Sequence, residues 1–193
     1  DDAPSARALV TTIAARYPFS LVYLHAPSRN ISIARNALLG AAVSPTIAMI
    51  DDDETAPPGW IATLWLRLKA TSADAVFGPS VAIYPADAPA WIVALDDHSN
   101  RPVHRGGVVQ TGHTSNALMR RDAASFDKLQ FDLTRGQTGG EDTAFFFAAW
   151  QMGARYEIAH DAPVHEPVDP ARLSLKWLAR RRYRSGQSYA VSA

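Results

Sequence analysis

The chain has 193 residues, 47% apolar and 20% charged, which fits one domain, or one domain with a short appendage, and gives enough chain to bury a core. Its 19 Lys and Arg balance its 19 Asp and Glu, so bulk charge points neither toward nor away from nucleic acid. Cysteine is absent, which excludes disulfides and thiolate metal sites, and no apolar run reaches the roughly 20 residues that a bilayer-spanning helix needs.

In chain order, residues 4–16 read as a helix: Ser5 lies near the start, Ala is frequent and Pro18 stops it. Residues 19–25 (FSLVYLH) read as a short buried strand. An Ala- and Leu-rich helix is expected over 32–43, then a second apolar strand over 46–50 (TIAMI) that runs directly into acids. Pro57, Pro58 and Gly59 break the chain before a helix over 60–70. A third strand falls within 74–84. Residues 85–107, rich in Pro, Asp, His, Asn and Gly, read as a loop or lid, with a short strand over 91–95. A strand pair is expected within 108–120. Gly139 and Gly140 precede a helix over 141–152 capped by Gly153, and a strand follows over 155–160. Asp169 and Pro170 are placed to start the last helix as N-cap and first-turn proline. Strands alternating with helices at this spacing predict βαβ units and a mainly parallel central sheet with flanking helices. Charge is uneven: acids dominate 141–169, while from 170 onward only bases occur, at Arg172, Lys176, Arg180, Arg181, Arg182 and Arg184. The expected division is a core over 1–169 and a basic amphipathic tail over 170–193.

The strongest local signal is Asp51-Asp52-Asp53-Glu54 at the end of an apolar strand. Ligands of open α/β sheets bind at the carboxyl ends of strands. Strand alternation puts Asp51 and Asp53 on one side, where a divalent cation would relieve their repulsion. Oxygen-only ligands suit Mg²⁺ or Mn²⁺. The other reading is an acidic cap for the helix that follows. A second acid site, Glu141-Asp142, follows two glycines at a helix start, and its apolar face (Phe145, Phe146, Phe147, Trp150) anchors it. A carboxylate fixed there has what a general base needs; acids in a helix's first turn also stabilise its dipole. His165 follows a strand and a loop and is a candidate metal ligand through neutral imidazole, or a structural residue.

Four stretches together resemble glycosyltransferase family 2, a nucleotide-sugar-dependent GT-A fold, and most closely its bacterial exopolysaccharide glucosyltransferases. Ile31-Ser32-Ile33-Ala34-Arg35-Asn36 resembles the family's "G-x-S-x-ARN" helix start, with Asn30-Ile31 where Gly is common. Met49 to Glu54 resembles its strand and D-x-D motif, and 138–143 (TGGEDT) its "GGED" segment. His165-Glu166-Pro167 with Arg172, Trp177, Arg181 and Arg184-Ser185-Gly186 resembles its "HEP…R…W…R…RxG" stretch. The family's opening strand and helix, with the start of its next strand, are expected to be absent from this sequence.

The resemblance implies inverting transfer of a sugar, from a UDP-sugar, to a hydroxyl of a saccharide or lipid-linked saccharide in surface polysaccharide synthesis. It implies a cation (Mg²⁺ or Mn²⁺) on Asp53 and Asp51, with His165 completing the site. Asp2, Asp51 and Asp52 would face the nucleotide, and Arg35 would brace the acids. Asp142 would be the base, flanked by Glu141. Asn116 and His113 fall where relatives contact donor sugar or acceptor, and Arg181 or Arg184 would clamp the diphosphate or join Leu173, Trp177 and Leu178 in a strip on an anionic membrane, at its cytoplasmic face. Rivals are a catalytically impaired sugar- or nucleotide-binding module of this fold and a metal-dependent phosphate-ester hydrolase. No nucleic-acid partner is expected, because aromatics hardly interleave with the basic run.

Overall fold

The computed structural model describes residues 4–192. Asp2, expected at the nucleotide, lies outside them. The elements are α1 (Arg7–Ala14), α2 (Ile31–Ala41), β1 (Thr46–Ile50), α3 (Trp60–Thr71), β2 (Ala75–Phe77), β3 (Ser80–Ile83), α4 (Ala90–Leu95), β4 (Asn116–Arg120), α5 (Glu141–Gln151), β5 (Tyr156–Ile158), β6 (Val164–Pro167) and α6 (Leu175–Ser192).

The central sheet has the order β1-β4-β2-β5. β4 is antiparallel to both β1 and β2, and β2 is parallel to β5, so β1, β2 and β5 share one direction and β4 opposes them. β3 and β6 form a separate parallel pair. The expected single strand over 74–84 is thus two strands. Pro79 offers no N–H for a ladder, and Gly78 lies so close to Asn116 and the Ala162 carbonyl that a Cβ there would stand 2.3 Å from that oxygen.

Alternation along β2 and β4 divides the core. Ala75, Phe77, Ala117 and Met119 point to one face, where Phe126, Phe131, Phe145, Phe146 and Tyr156 pack. Val76 and Leu118 point to the other, against Leu64 and Leu68 of α3. These two leucines, one helical turn apart, are almost fully buried and stabilise α3 by about 2 kcal/mol each. The result is a helix, sheet, helix sandwich, with α5 and α3 as outer layers.

Further expected elements differ. Residues 19–25 form no strand: they find no ladder partner among the described residues, and Phe19 and Val22 lie exposed. Residues 91–95 are helical, as α4, because Pro89 presets the start and Asp96 at φ +50° ends it. Of the pair expected within 108–120, only β4 is a strand. Asp169 does cap, accepting from the Ala171 amide at 2.8 Å, but it caps a 3-10 turn over Pro170–Arg172, and α6 starts only at Leu175.

Candidate active site

The start of α2 is sewn to the loop before α5. The Asn30 side chain accepts from the Ile33 amide at 3.2 Å, as N-cap, and donates to the Leu133 carbonyl at 2.9 Å. Ser32 Oγ donates to the Asp132 carbonyl, and Asn36 exchanges two bonds with the Phe131 main chain. Ser32, Arg35 and Asn36 share one helix face by their spacing. Gly136 closes this seam, because a Cβ there would collide with the Asn30 side chain.

That seam aims Arg35 inward. It is buried, ion-paired to Glu141, and its Nη2 lies 3.6 Å from Asp51 Oδ1. Arg35 therefore braces both acid clusters at once, and no bound nucleotide is needed to explain it. Glu141 is also buried, and its carboxylate faces Arg35 rather than the cavity. The sequence placed Glu141 beside the base as a catalytic group; the structure makes it the anchor of Arg35, since a buried carboxylate needs a paired cation.

Asp142 turns the other way. Gly139 and Gly140, at φ +89° and +82°, adopt left-handed geometry that side-chain-bearing residues resist, and they deliver the chain into α5 at the cavity edge. Asp142 Oδ1 accepts from the Thr143 amide at 2.7 Å, and Oδ2 pairs with His113 Nδ1 at 3.1 Å. Burial works to raise the Asp142 carboxyl, but His113, Arg35 and the Thr143 amide outweigh it and hold the carboxyl below its ordinary value. Burial works to lower His113, and the Asp142 carboxylate overrides it, so the imidazole sits above its ordinary value. His113 reaches this place because Gly112 lies flat on Phe77, where a Cβ would be 2.2 Å from the ring.

Asp51, directly after β1, is pushed above the usual carboxylate range by burial; Arg35 offsets this, while Asp53, Asp142 and Asp52 add to it. Glu54 folds back over the same loop: its Oε2 accepts from the Asp51 amide at 3.1 Å and its Oε1 from Ser80 Oγ at 2.6 Å. Burial pushes Glu54 up to about 7. The acid loop is also tied to β6, because Thr55 and His165 exchange two main-chain bonds, of 2.8 and 2.9 Å.

The crowding of negative charge at Asp51 and the oxygen-only donors fit a hard divalent cation. Mg²⁺ is commonly held by one or two carboxylates, with water and substrate phosphates supplying the rest. Asp51 lines the cavity of this site, and Asp53 is not among its lining residues. Among the described residues no three His, Asp or Glu side chains gather to hold a metal, so the geometry does not bring the His165 ring in as a third ligand. Asp52 and Asp53 are exposed at the loop tip.

Asp51, His113 and Asp142 line one cavity of about 870 Å³, with Arg101, Arg105, Arg181, Arg182 and Arg184 on its walls and rim. Carboxylates and guanidinium groups on one cavity suit a ligand carrying both a phosphate group and hydroxyls. Arg182 is ion-paired to Asp97. Arg181 is half-buried and lies 5.3 Å over the Trp177 ring. Burial, partly offset by Glu166 and Asp97, presses it below its ordinary value.

α6 is docked by a small aromatic lock. The His98 ring stacks on Trp177 at 5.1 Å and meets Tyr84 edge-on. His98 Nε2 lies 3.2 Å from the Arg172 carbonyl, which can only accept, so Nε2 carries the proton. Trp177 and Leu178, expected to rest on a membrane, instead turn toward the domain, and Leu178 is buried. An apolar face on a helix is consumed first by its own core.

Asn116, expected at the donor or acceptor, is 1% exposed. Its Nδ2 donates to the Pro79 and Ala162 carbonyls at 3.0 and 2.8 Å, and its Oδ1 accepts from Trp60 Nε1 at 2.9 Å. With these groups used inside, it is a structural residue. Sequence reasoning named His113 but missed its pairing with Asp142, and it missed Glu54 as a clamp. The acid run flagged Glu54, but its fold-back onto Asp51 has no signature in sequence.

The family model for glycosyl transferase family 2 matches residues 1–126. The succinoglycan biosynthesis protein ExoM of Rhizobium meliloti (strain 1021) is 46% identical over 189 residues, covering 98% of this chain. The chain spans 61% of that relative's length. Among solved structures, S. aureus TarS 1-349 in complex with UDP superposes with a TM-score of 0.59 at 13% identity, over 84% of this chain and 47% of that one. The same protein in complex with UDP-GlcNAc gives 0.60 at 12%, over 84% and 46%. At such identity these two speak for the fold alone. The chain belongs to glycosyl transferase family 2.

Proposed function

We propose that this chain is the core of an inverting glycosyltransferase that moves a sugar from a UDP-sugar to a hydroxyl of a saccharide or lipid-linked saccharide in exopolysaccharide synthesis. The observation that carries this is the placement of Asp51 and Asp142 on one cavity, braced from behind by Arg35. One acid serves the departing nucleotide and the other the incoming hydroxyl. A relative named for succinoglycan biosynthesis and a structural neighbour bound to UDP-GlcNAc support the class of product and of donor.

In the transfer, the acceptor oxygen forms a bond to the sugar's anomeric carbon as the bond to the diphosphate oxygen breaks, and the electron pair leaves with the diphosphate. Attack opposite the leaving group inverts that carbon. The acceptor's proton is taken at the Asp142 centre. Arg181 and Arg184, which line the same cavity, meet the diphosphate. Asp53 and Asp51 would hold Mg²⁺ or Mn²⁺, which when bound neutralises charge on the diphosphate. The exposed Lys176 and Arg180 side chains of α6 give peripheral contact with an anionic membrane.

Calorimetric titration with UDP, with and without Mn²⁺, tests this. The expected result is metal-dependent binding lost in Asp53→Ala, with Asp142→Asn binding UDP normally but not turning over. Binding that ignores both metal and Asp53 would instead favour a degenerate binding module.

A further inference from the structure

His113 and Asp142 face each other across the cavity edge, and the chemistry of the pair decides where a proton can go. A carboxylate only accepts, so the 3.1 Å contact requires His113 Nδ1 to carry hydrogen. In the neutral ring the lone pair then sits on Nε2. Among the described residues Nε2 has no hydrogen-bond partner. The imidazole is also the more open member of the pair, its side chain 37% exposed against 17% for Asp142.

Resting on the transferase reading, we infer that Asp142 and His113 act as one unit, in which Asp142 holds the imidazole through Nδ1–H and His113 Nε2 is the basic atom presented to the acceptor hydroxyl. The acceptor O–H proton goes to Nε2 as its oxygen bonds to the anomeric carbon and the diphosphate leaves with its electron pair. The imidazolium so formed is stabilised by the Asp142 carboxylate and returns the proton to water.

Basicity supports the assignment. A general base works best with its proton affinity near the working pH. Both Asp142 oxygens already accept a hydrogen bond, Oδ1 from the Thr143 amide and Oδ2 from His113 Nδ1. His113 is raised above the ordinary imidazole value: burial opposes this, Asp142 and Glu141 on α5 drive it, and Arg181 on α6 opposes it. Protons on such a pair belong to both members, and the imidazole is the end that reaches the cavity.

Two measurements on the 193-residue chain test this. The first is the tautomer and titration of His113 by nitrogen-15 histidine NMR, its signal assigned by its loss in His113→Gln. The neutral ring is expected as the Nδ1–H tautomer, with a midpoint that falls in Asp142→Asn. An Nε2–H tautomer, or a midpoint indifferent to Asp142, would overturn the pairing. The second is UDP release from UDP-glucose with water as acceptor, alongside UDP affinity. His113→Asn can still donate to Asp142 but has no basic nitrogen. We expect it to bind UDP as the wild type does and to turn over about 100-fold more slowly. A variant within threefold of wild type in turnover would show that Asp142 accepts the proton directly; the inference would then fall while the transferase reading stood. A wild-type chain that binds no UDP would sink the transferase reading, and with it the catalytic use of Nε2, while the tautomer measurement, which needs no donor, would still decide the pairing.

Discussion

The guanidinium of Arg35 and the carboxylate of Glu141 form a buried ion pair that spans 106 positions of sequence and joins the helix start to the second acid motif. Removing one partner strands the other without solvent. Arg35→Met should therefore cost roughly 3 kcal/mol, read as a shift in the urea midpoint. Arg35→Met combined with Glu141→Leu should recover a good part of that loss. Full additivity of the two single changes would show that they do not interact.

The His113 and Asp142 pair makes stability depend on pH in two windows. His113 is raised in the folded state, so its contribution is complete below the ordinary value of 6.5 and is lost as pH rises through its higher folded value. Asp142 is lowered, so its contribution is present above 3.8 and is lost as pH falls through its lower folded value. The difference in melting temperature between wild type and His113→Gln should be largest between these windows and shrink on either side.

Chelation of divalent metal with EDTA should weaken UDP binding by about tenfold or more and leave the fold intact, because Asp51 already has Arg35 as counter-charge. Circular dichroism that is unchanged while calorimetric affinity falls is the expected pattern. Collapse of the fold on chelation would assign the acids to a structural site instead.

Since Trp177 and Leu178 turn inward, vesicle binding by α6 has only its outer charges to draw on. Flotation with anionic vesicles should vanish at roughly 0.5 M salt, where exposed charges are screened within a few ångströms, and neutral vesicles should leave the chain behind. Salt-resistant flotation would mean that the apolar face is released to the lipid.

Much of this arrangement is legible in sequence because it is local. The TIAMI run before three aspartates, the twin glycines before Glu141 and the spacing of Ser32, Arg35 and Asn36 each dictate a backbone and a face. What is not legible depends on distant partners. Residues 19–25 carry a strand-like apolar run, yet a strand exists only through a neighbour. Residues 91–95 are as apolar as a strand, and Pro89 with Asp96 decided otherwise. Asn116 looks like a ligand residue until the carbonyls of Pro79 and Ala162 and the Trp60 indole arrive to use it. His113 gains its role from Asp142, 29 positions away.

The Asn116 junction has a kinetic corollary. One side chain holds the end of β4, the turn after β2, the turn after β5 and the first residue of α3, while its own carbonyl receives the Gly78 amide at 3.0 Å. None of these turns can open alone without stranding a buried polar group, at a cost of roughly 1–3 kcal/mol each. In hydrogen–deuterium exchange the Gly78 and Ala162 amides should therefore behave as slow exchangers that report global unfolding rather than as loop amides. Asn116→Ala, destabilised by about 3 kcal/mol, should turn them into locally opening sites. The junction of β4 with these three turns would thus be the last part of the chain to loosen.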